Sequence, residues 1–432
     1  MSIINIKKQQ HEKAWEKLRD EIFISQDNQD YRALFPDPEY VQVVRKVAEE
    51  ISGKDFESEE FKELLKNAAD KISEQFISQD VSTKLEDVYD LTAYSLIYGS
   101  RTVSEVQVAL LEYFMDSSRA YFEDTIRILD LGSGTGGALF GAIAFFKKYS
   151  QCYGYFANNV KNIIIEFVEQ DLTHYEFCCK MVNCLQEENS SFPKISFVSH
   201  RMPMEDFLDQ ESKSDYDFII ASKSISELRC IQPPNPQWEV YEVILKKILE
   251  LMSQDSVFIL IEPPRWRDPI RNKLIPFTVD LVKRTSNYIF SPCPQKSDCF
   301  KSKICWAWRF FNYLEPDDSR LIRTKGRDES KFYLLLITKN SYSLFTEIIA
   351  KADMTRHGKL EFVGLFHHRQ LNYNACIKEE LGSYYFDPCL RAKYLFKNTR
   401  DELWVFGLDI EGYWQKIEKK QEPMQEVVLI PI

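Results

Sequence analysis

No apolar run in this 432-residue chain approaches the length of a membrane-spanning helix. The first thirty residues lack the apolar core of a secretory signal. They also lack the acid-poor composition of a transit peptide, because they carry Glu12, Glu16, Asp20, Glu21, Asp27 and Asp30. The expectation is a cytoplasmic protein with no membrane partner. In that reducing compartment the ten cysteines read as thiols or metal ligands rather than disulfides. Net positive charge is missing too: 55 basic against 66 acidic residues leave -11, which argues against generalised nucleic-acid binding. There is no internal repeat and no low-complexity segment.

What is present is an ordinary globular composition, 44% hydrophobic and 28% charged, in a chain long enough for two or three domains. The charge is uneven. Residues 1–100 hold 13 Lys/Arg and 21 Asp/Glu, a balance of -8, whereas residues 265–310 hold ten basic residues against Asp268, Asp280 and Asp298, a balance of +7. A phosphate backbone responds to such a local field, although a solvated basic surface has the same composition.

The N-terminal third reads as helical. "HEKAWEKLRDEIF", "PEYVQVVRKVAEEI" and "SEEFKELLKNAADKISEQFI" space apolar residues three and four apart, with Ser58 as a helix start and Pro36 and Pro38 as punctuation. This predicts a helical domain over residues 1–120. From Ile126 onward, short apolar runs alternate with helical stretches: "IRILDL", "NIIIEFVE", "KISFVS", "YDFIIASKS" and "SVFILIE". Five buried runs joined by crossover-length segments predict an α/β doubly wound sheet over residues 121–366. "KFYLLLIT" and "KLEFVGLF" are expected to complete it as an antiparallel pair. Residues 265–325 form a basic, cysteine-bearing insertion after the fifth strand, and residues 367–432 a C-terminal extension.

The first strand runs into "ILDLGSGTGGALFGAIAFF", where Gly132, Gly134, Gly136 and Gly137 precede an apolar helix. Glycines permit positive φ and close approach to a ligand, and the helix start offers free N–H groups. Spacing alone fits both G-x-G-x-G and the dinucleotide pattern. Asp130 separates them, since an acid there would repel a pyrophosphate but accept hydrogen bonds from a cationic amino-acid tail. The loop resembles motif I of the class I methyltransferases, h-h-D-h-G-x-G-x-G. That resemblance implies S-adenosylmethionine held by Asp130, Gly132, Ser133, Gly134 and Gly136. It also implies that an acid after the second strand, Glu169 or its competitor Asp171, takes the ribose hydroxyls, with the adenine near His200, Arg201 and Met202. Ser222, ending the fourth strand, joins the cofactor-binding candidates. The Asn/Asp-Pro-Pro-aromatic motif of base-amino methylation is absent from "ASKSISEL", and no catalytic base stands out.

"SPCPQKSDCFKSKIC" spaces Cys293, Cys299 and Cys305 six residues apart among lysines and prolines, which favours a metal over a disulfide network. A fourth ligand would come from Cys376, Cys389, His367 or His368. From "LTAYSLIYGSRT" through the glycine loop, "ASKSISEL", "ILIEPP" and "SPCPQKSDC", the chain resembles the methyltransferase-like mitochondrial small-ribosomal-subunit assembly proteins and their bacterial relatives. That resemblance implies a four-cysteine [4Fe–4S] cluster (zinc being the alternative) and contact with small-subunit ribosomal RNA. The candidate ligands here are Cys293, Cys299 and Cys305 with Cys376, which lies further on than the family's last cysteine. Here Glu262-Pro263-Pro264 replaces the family's E-P-G, Gln295 replaces a histidine, and Trp306 follows Cys305. The alternatives are a non-enzymatic ribosome assembly factor and a small-molecule methyltransferase.

Overall fold

The computed structural model describes residues 3–25, 32–78, 85–114, 123–188, 193–211, 215–228, 230, 236–263, 273–285, 287–291, 308–313, 316–317 and 329–339. It also describes five later strands. The chain opens with α1 (Ile3–Ile22), two short strands β1 (Phe23–Ser25) and β2 (Arg32–Leu34), α2 (Pro38–Ser52) and α3 (Glu59–Ser78). Helix α2 begins as its sequence asks: Asp37 caps the amides of Glu39 and Tyr40, Pro38 fills the first turn, and Gly53 ends it at φ 66°. Ser58 accepts a hydrogen bond from the Phe61 amide at 3.2 Å, so the predicted start of α3 holds.

A longer helical run follows: α4 (Val88–Tyr94), a π-helical segment over Ser95–Gly99, and α5 (Ser100–Tyr113). Every residue of α5 is buried. Its polar side chains are answered inside, with Gln107 meeting Lys148 at 2.9 Å and the Tyr313 hydroxyl reaching Ser100 at 3.1 Å. Gly141 lets α5 lie directly on the next helix, since a Cβ there would stand 2.7 Å from the Val103 carbonyl oxygen. Helix α1 is pinned to the same layer. The His11 ring bonds the Tyr149 hydroxyl and the Phe114 carbonyl at 2.7 and 2.8 Å, and the Trp15 indole donates to the Leu111 carbonyl at 2.9 Å.

The α/β unit runs β3 (Thr125–Leu131), α6 (Gly137–Cys152), α7 (Gly154–Asn159), β4 (Asn162–Glu169), α8 (Leu172–Glu188), β5 (Lys194–Arg201), α9 (Met204–Gln210) and β6 (Tyr216–Ser222). It continues with α10 (Trp238–Leu251), β7 (Met252–Glu262), α11 (Leu274–Lys283), β8 (Tyr288–Ser291), β9 (Trp308–Tyr313) and β10 (Glu329–Thr338). The sheet order is β1-β2-β9-β10-β7-β6-β3-β4-β5, with β8 also on β10. Strands β3 to β7 pair in parallel and β10 enters antiparallel to β7. The five expected strands and the antiparallel "KFYLLLIT" are therefore present, in a mixed α/β sheet. The N-terminal helices and the sheet share one buried apolar cluster.

One expectation fails. "KLEFVGLF" does not complete this sheet: its strand β11 (Glu361–Phe366) pairs with β12 (Ala392–Lys397) in a second, antiparallel sheet. That sheet continues through β13 (Leu403–Leu408), β14 (Trp414–Glu418) and β15 (Leu429–Pro431). Nearest-neighbour pairing of consecutive strands won over the long return to β10.

Strands β8 and β9 lie on the same edge of β10. Ser291 stands opposite Leu336 and Trp308 opposite Tyr333, so the chain leaves and rejoins that edge within three positions of register. At about 3.4 Å per residue, the two ends of the intervening segment stand roughly 10 Å apart along the edge. That segment, residues 292–307 with Cys293, Cys299 and Cys305, lies outside the described residues, as does Cys376. Among the described residues no group of three or more His, Cys, Asp or Glu is placed to hold a metal ion. No described helix is long and apolar enough to cross a membrane.

Candidate functional site

The strand order reverses between β3 and β6, because β4 and β5 extend one way from β3 while β6 and β7 extend the other. At such a switch point the loops beyond the carboxyl ends of the strands diverge and leave a crevice. The glycine turn sits there. Gly132, Gly134 and Gly136 have φ of 75°, 55° and 91°, which side-chain-bearing residues rarely adopt. The turn is tied to β4 by the amides of Gly132 and Ser133, which both donate to the Val168 carbonyl at 2.9 and 3.0 Å. It is sealed from the β6 side as well, where Ser224 donates to the Leu131 carbonyl at 2.7 Å and would collide with any Cβ on Gly132. A Cβ at Gly134, by contrast, would meet nothing within 4 Å. That is the open side of the turn.

Asp130 stands at the base of the crevice, one residue before the end of β3, and is fully buried. Neither carboxylate oxygen has a hydrogen-bond partner of good geometry, although the Leu139 backbone lies close enough to favour the charged form weakly. Burial, and then the charge of Glu169, push its carboxyl up to about 7, with the Leu139 backbone pulling modestly the other way. Glu169 ends β4, also buried. Its two oxygens accept from the Gly134 amide at 2.7 Å and the Asp171 amide at 2.9 Å, so this acid is built into the turn. Its competitor is occupied elsewhere, since Asp171 accepts from the amides of Thr173 and His174 and caps α8.

The remaining candidates are spread around this centre. Arg201 ends β5 and is exposed, while Met202 is half-buried against the core. His200 turns instead to Glu166, its Nε2 2.6 Å from Oε1. Ser222 ends β6 with a buried hydroxyl that has no hydrogen-bond partner.

Sequence reasoning missed an aromatic cluster beside the start of α8. Tyr94 precedes and Tyr98 lies within the π-helical segment, with ring centroids 5.4 Å apart, and the Tyr94 ring lies nearly parallel to His174 of α8. Burial, then the charge of Glu227 and more weakly that of Glu169, raise the Tyr94 phenol. Glu262 ends β7 and accepts from the Ser226 amide at 3.0 Å, adding a further buried carboxylate. The signal was the "AYSLIYG" stretch, but a π-helical turn carries no 3.6-residue period to recognise.

An unpartnered buried acid beside a turn open at Gly134 suits a ligand that brings positive charge and hydrogen-bond donors. It does not suit a pyrophosphate, which would meet Asp130 and Glu169 with like charge.

No protein-family model matches the chain, and no curated protein sequence is significantly similar to it. Several solved structures resemble this chain at low identity. One is a Listeria monocytogenes protein with a provisional class I S-adenosylmethionine-dependent methyltransferase designation. It is 11% identical over 71% of this chain and 88% of its own, with a TM-score of 0.34. The mitomycin 7-O-methyltransferase MmcR is 11% identical over 74% and 80%, with a TM-score of 0.32. The M. capricolum TrmK, solved with S-adenosyl-homocysteine, is 13% identical over 53% and 69%, with a TM-score of 0.26.

Proposed function

We propose that this chain binds S-adenosylmethionine in the crevice at the switch point and transfers its methyl group. The observation that carries the proposal is Asp130, a wholly buried carboxylate with both oxygens unanswered beside the glycine turn. Asp130 would hold the ammonium of the cofactor's amino-acid tail, Glu169 the ribose hydroxyls, and the open side of Gly134 would admit the nucleoside. When bound, this cofactor supplies a methyl group activated by its sulfonium. The protein's part is then to hold the acceptor in line and keep water out. Calorimetry with S-adenosylhomocysteine tests the site; absence of binding by the full chain would remove the proposal.

For the acceptor we infer small-subunit ribosomal RNA, with the cysteine segment as a metal module beside it. The support is the order of motifs described above and the +7 balance of residues 265–310. The described residues on either side of the cysteine segment, Ser291 and Trp308, both pair with one edge of β10, which adds to that support. Methyl incorporation from labelled cofactor into purified small-subunit RNA, lost steeply with salt, is the expected result. Iron or zinc in elemental analysis of anaerobically purified protein is expected for the metal module, and neither metal would end that part. A second reading, methylation of a small molecule, is favoured by the carboxylates Asp130, Glu169 and Glu262 at the strand ends, which a phosphate-bearing acceptor must approach. Retention of cofactor binding with no RNA affinity at low salt would select it.

A further inference from the structure

Among the described residues only one without a glycine's freedom has positive φ: Lys223, at 63°, directly after β6. That conformation costs a side-chain-bearing residue on the order of 1–2 kcal/mol. It is held in place. The Lys223 amide donates to the Ile261 carbonyl at 2.7 Å, and the ammonium donates to the Thr102 hydroxyl at 2.8 Å. The ammonium also lies 2.8 Å from Glu105 Oε2, and the other oxygen of Glu105 accepts from the Ser330 hydroxyl at 2.7 Å. The Glu105 side chain is only 3% exposed and that of Lys223 23%. A largely buried ion pair seldom stabilises a fold more than apolar packing would. Here that cost falls on the same residue as the backbone strain, and such coincidences cluster at ligand sites.

The location says which ligand group is concerned. Thr102, which receives the ammonium, stands 3.0 Å from where a Cβ would sit on Gly137, the first residue of α6. Ser224, the next residue after Lys223, closes on Gly132 at the other end of the turn. The hydrogen-bond partner of the lysine and its chain neighbour thus pack against the two ends of the glycine turn. An ammonium has three protons; Thr102 accepts one, while Glu105 pairs with the ammonium by charge without a well-formed hydrogen bond. The acids of the crevice suit the positive and hydroxyl-bearing parts of the cofactor, but its amino-acid tail also carries a carboxylate. The first turn of α6 and the remaining protons of Lys223 are the matching positive groups.

We infer that Lys223, braced by Glu105 and Thr102, recognises the carboxylate of the cofactor's amino-acid tail and so determines specificity for the intact zwitterion. This rests on the S-adenosylmethionine reading above. The test is calorimetry on the full chain with S-adenosylhomocysteine, with its decarboxylated analogue S-adenosyl-3-thiopropylamine, which keeps the amine, and with 5′-methylthioadenosine, which lacks the whole tail. The wild-type chain should bind S-adenosylhomocysteine about ten- to a hundredfold more tightly than the decarboxylated analogue, the size of one charge-assisted hydrogen bond. In Lys223→Met, and in Lys223→Met/Glu105→Gln, which leaves no buried carboxylate unpaired, that advantage should vanish. The decarboxylated analogue and methylthioadenosine should change less than about twofold, a pattern that loss of packing alone would not produce. Equal weakening of all three ligands, or a wild-type chain indifferent to the carboxylate, overturns the role of Lys223 and leaves the cofactor reading standing. No binding of any of the three by the wild-type chain overturns both.

Discussion

Replacing Asp130 by Asn should make the cofactor-free protein more stable near neutrality while weakening its hold on the cofactor. The carboxyl sits near 7 in the fold against 3.8 for an unperturbed aspartate, so the folded state binds more protons than the unfolded one between those values. Stability therefore falls as pH rises from about 4 to about 7 and levels off above, opposite to the behaviour of a salt-bridged aspartate. A shift of roughly three units corresponds to about 4 kcal/mol of buried-charge cost on the alkaline side. An asparagine removes that charge and, like the protonated carboxyl, is a buried polar group without partners. The net expectation is a gain on the order of 3–4 kcal/mol at about pH 8 that shrinks towards zero at about pH 4, so that the melting curves of the two proteins converge as pH falls. Binding shows the counterpart. If the ligand ammonium requires the ionised acid, wild-type affinity for S-adenosylhomocysteine should fall about tenfold from pH 8 to pH 6. In Asp130→Asn it should be flat with pH and about ten- to a hundredfold weaker at the alkaline end. Differential scanning calorimetry and titration calorimetry read the two halves. A variant less stable than wild type at alkaline pH, or a wild-type affinity that ignores pH, would refute the argument.

Glu169→Gln should shift the pH at which cofactor affinity is lost downward, because the Glu169 charge is the second cause of the raised Asp130 carboxyl; titrations at several pH values check it. Asp171→Ala should cost about 0.5–2 kcal/mol of stability through the lost α8 cap and much less cofactor affinity than Asp130→Ala. Calorimetry giving the reverse order would mean that the roles of the two acids are exchanged. Gly141→Ala should destabilise by about 1–3 kcal/mol, because the new methyl would meet the Val103 carbonyl oxygen at 2.7 Å and Val106 at 2.8 Å, and a backbone cannot step aside as a side-chain tip can. Thermal melting of that variant should fall without any change in the pH profile of binding.

Much of the fold was legible because buried parallel strands and amphipathic helices announce themselves by period. "IRILDL" to "SVFILIE" became β3 to β7 in the expected doubly wound arrangement. "HEKAWEKLRDEIF" was legible for the same reason, with Trp15 and Leu18 on the face that α1 buries. What local pattern could not say was partnership. "KLEFVGLF" has the composition of a sheet strand and is one, but its neighbour is Ala392–Lys397 rather than β10. The short β1 and β2, three residues each, are too brief for any period to register.

The site divides along a similar line. Asp130 and the glycines were readable because their chemistry lies in one contiguous turn, where positive φ demands glycine and strand geometry sets the acid beside it. Lys223 was not, because its significance lies in groups far away in the chain: Thr102 and Glu105 on α5, Ser330 on β10, and the Ile261 carbonyl on β7. A lysine after a strand is ordinary until its ammonium is found on Thr102 and Glu105 of the buried helix α5. The same distinction bears on the acceptor. Asp130, Glu169 and Glu262 come from three separate strands, and only the fold shows that they end on one rim. An RNA acceptor must bring its phosphates near that rim, so its affinity has to come from cations elsewhere, those of residues 265–310. Charge-reversal of Lys273 and Arg284, which lie at the two ends of α11, should therefore reduce RNA affinity and the salt slope together while leaving S-adenosylhomocysteine binding unchanged. Retention of full RNA affinity in that variant would turn the weight of the argument toward a small, uncharged or cationic acceptor.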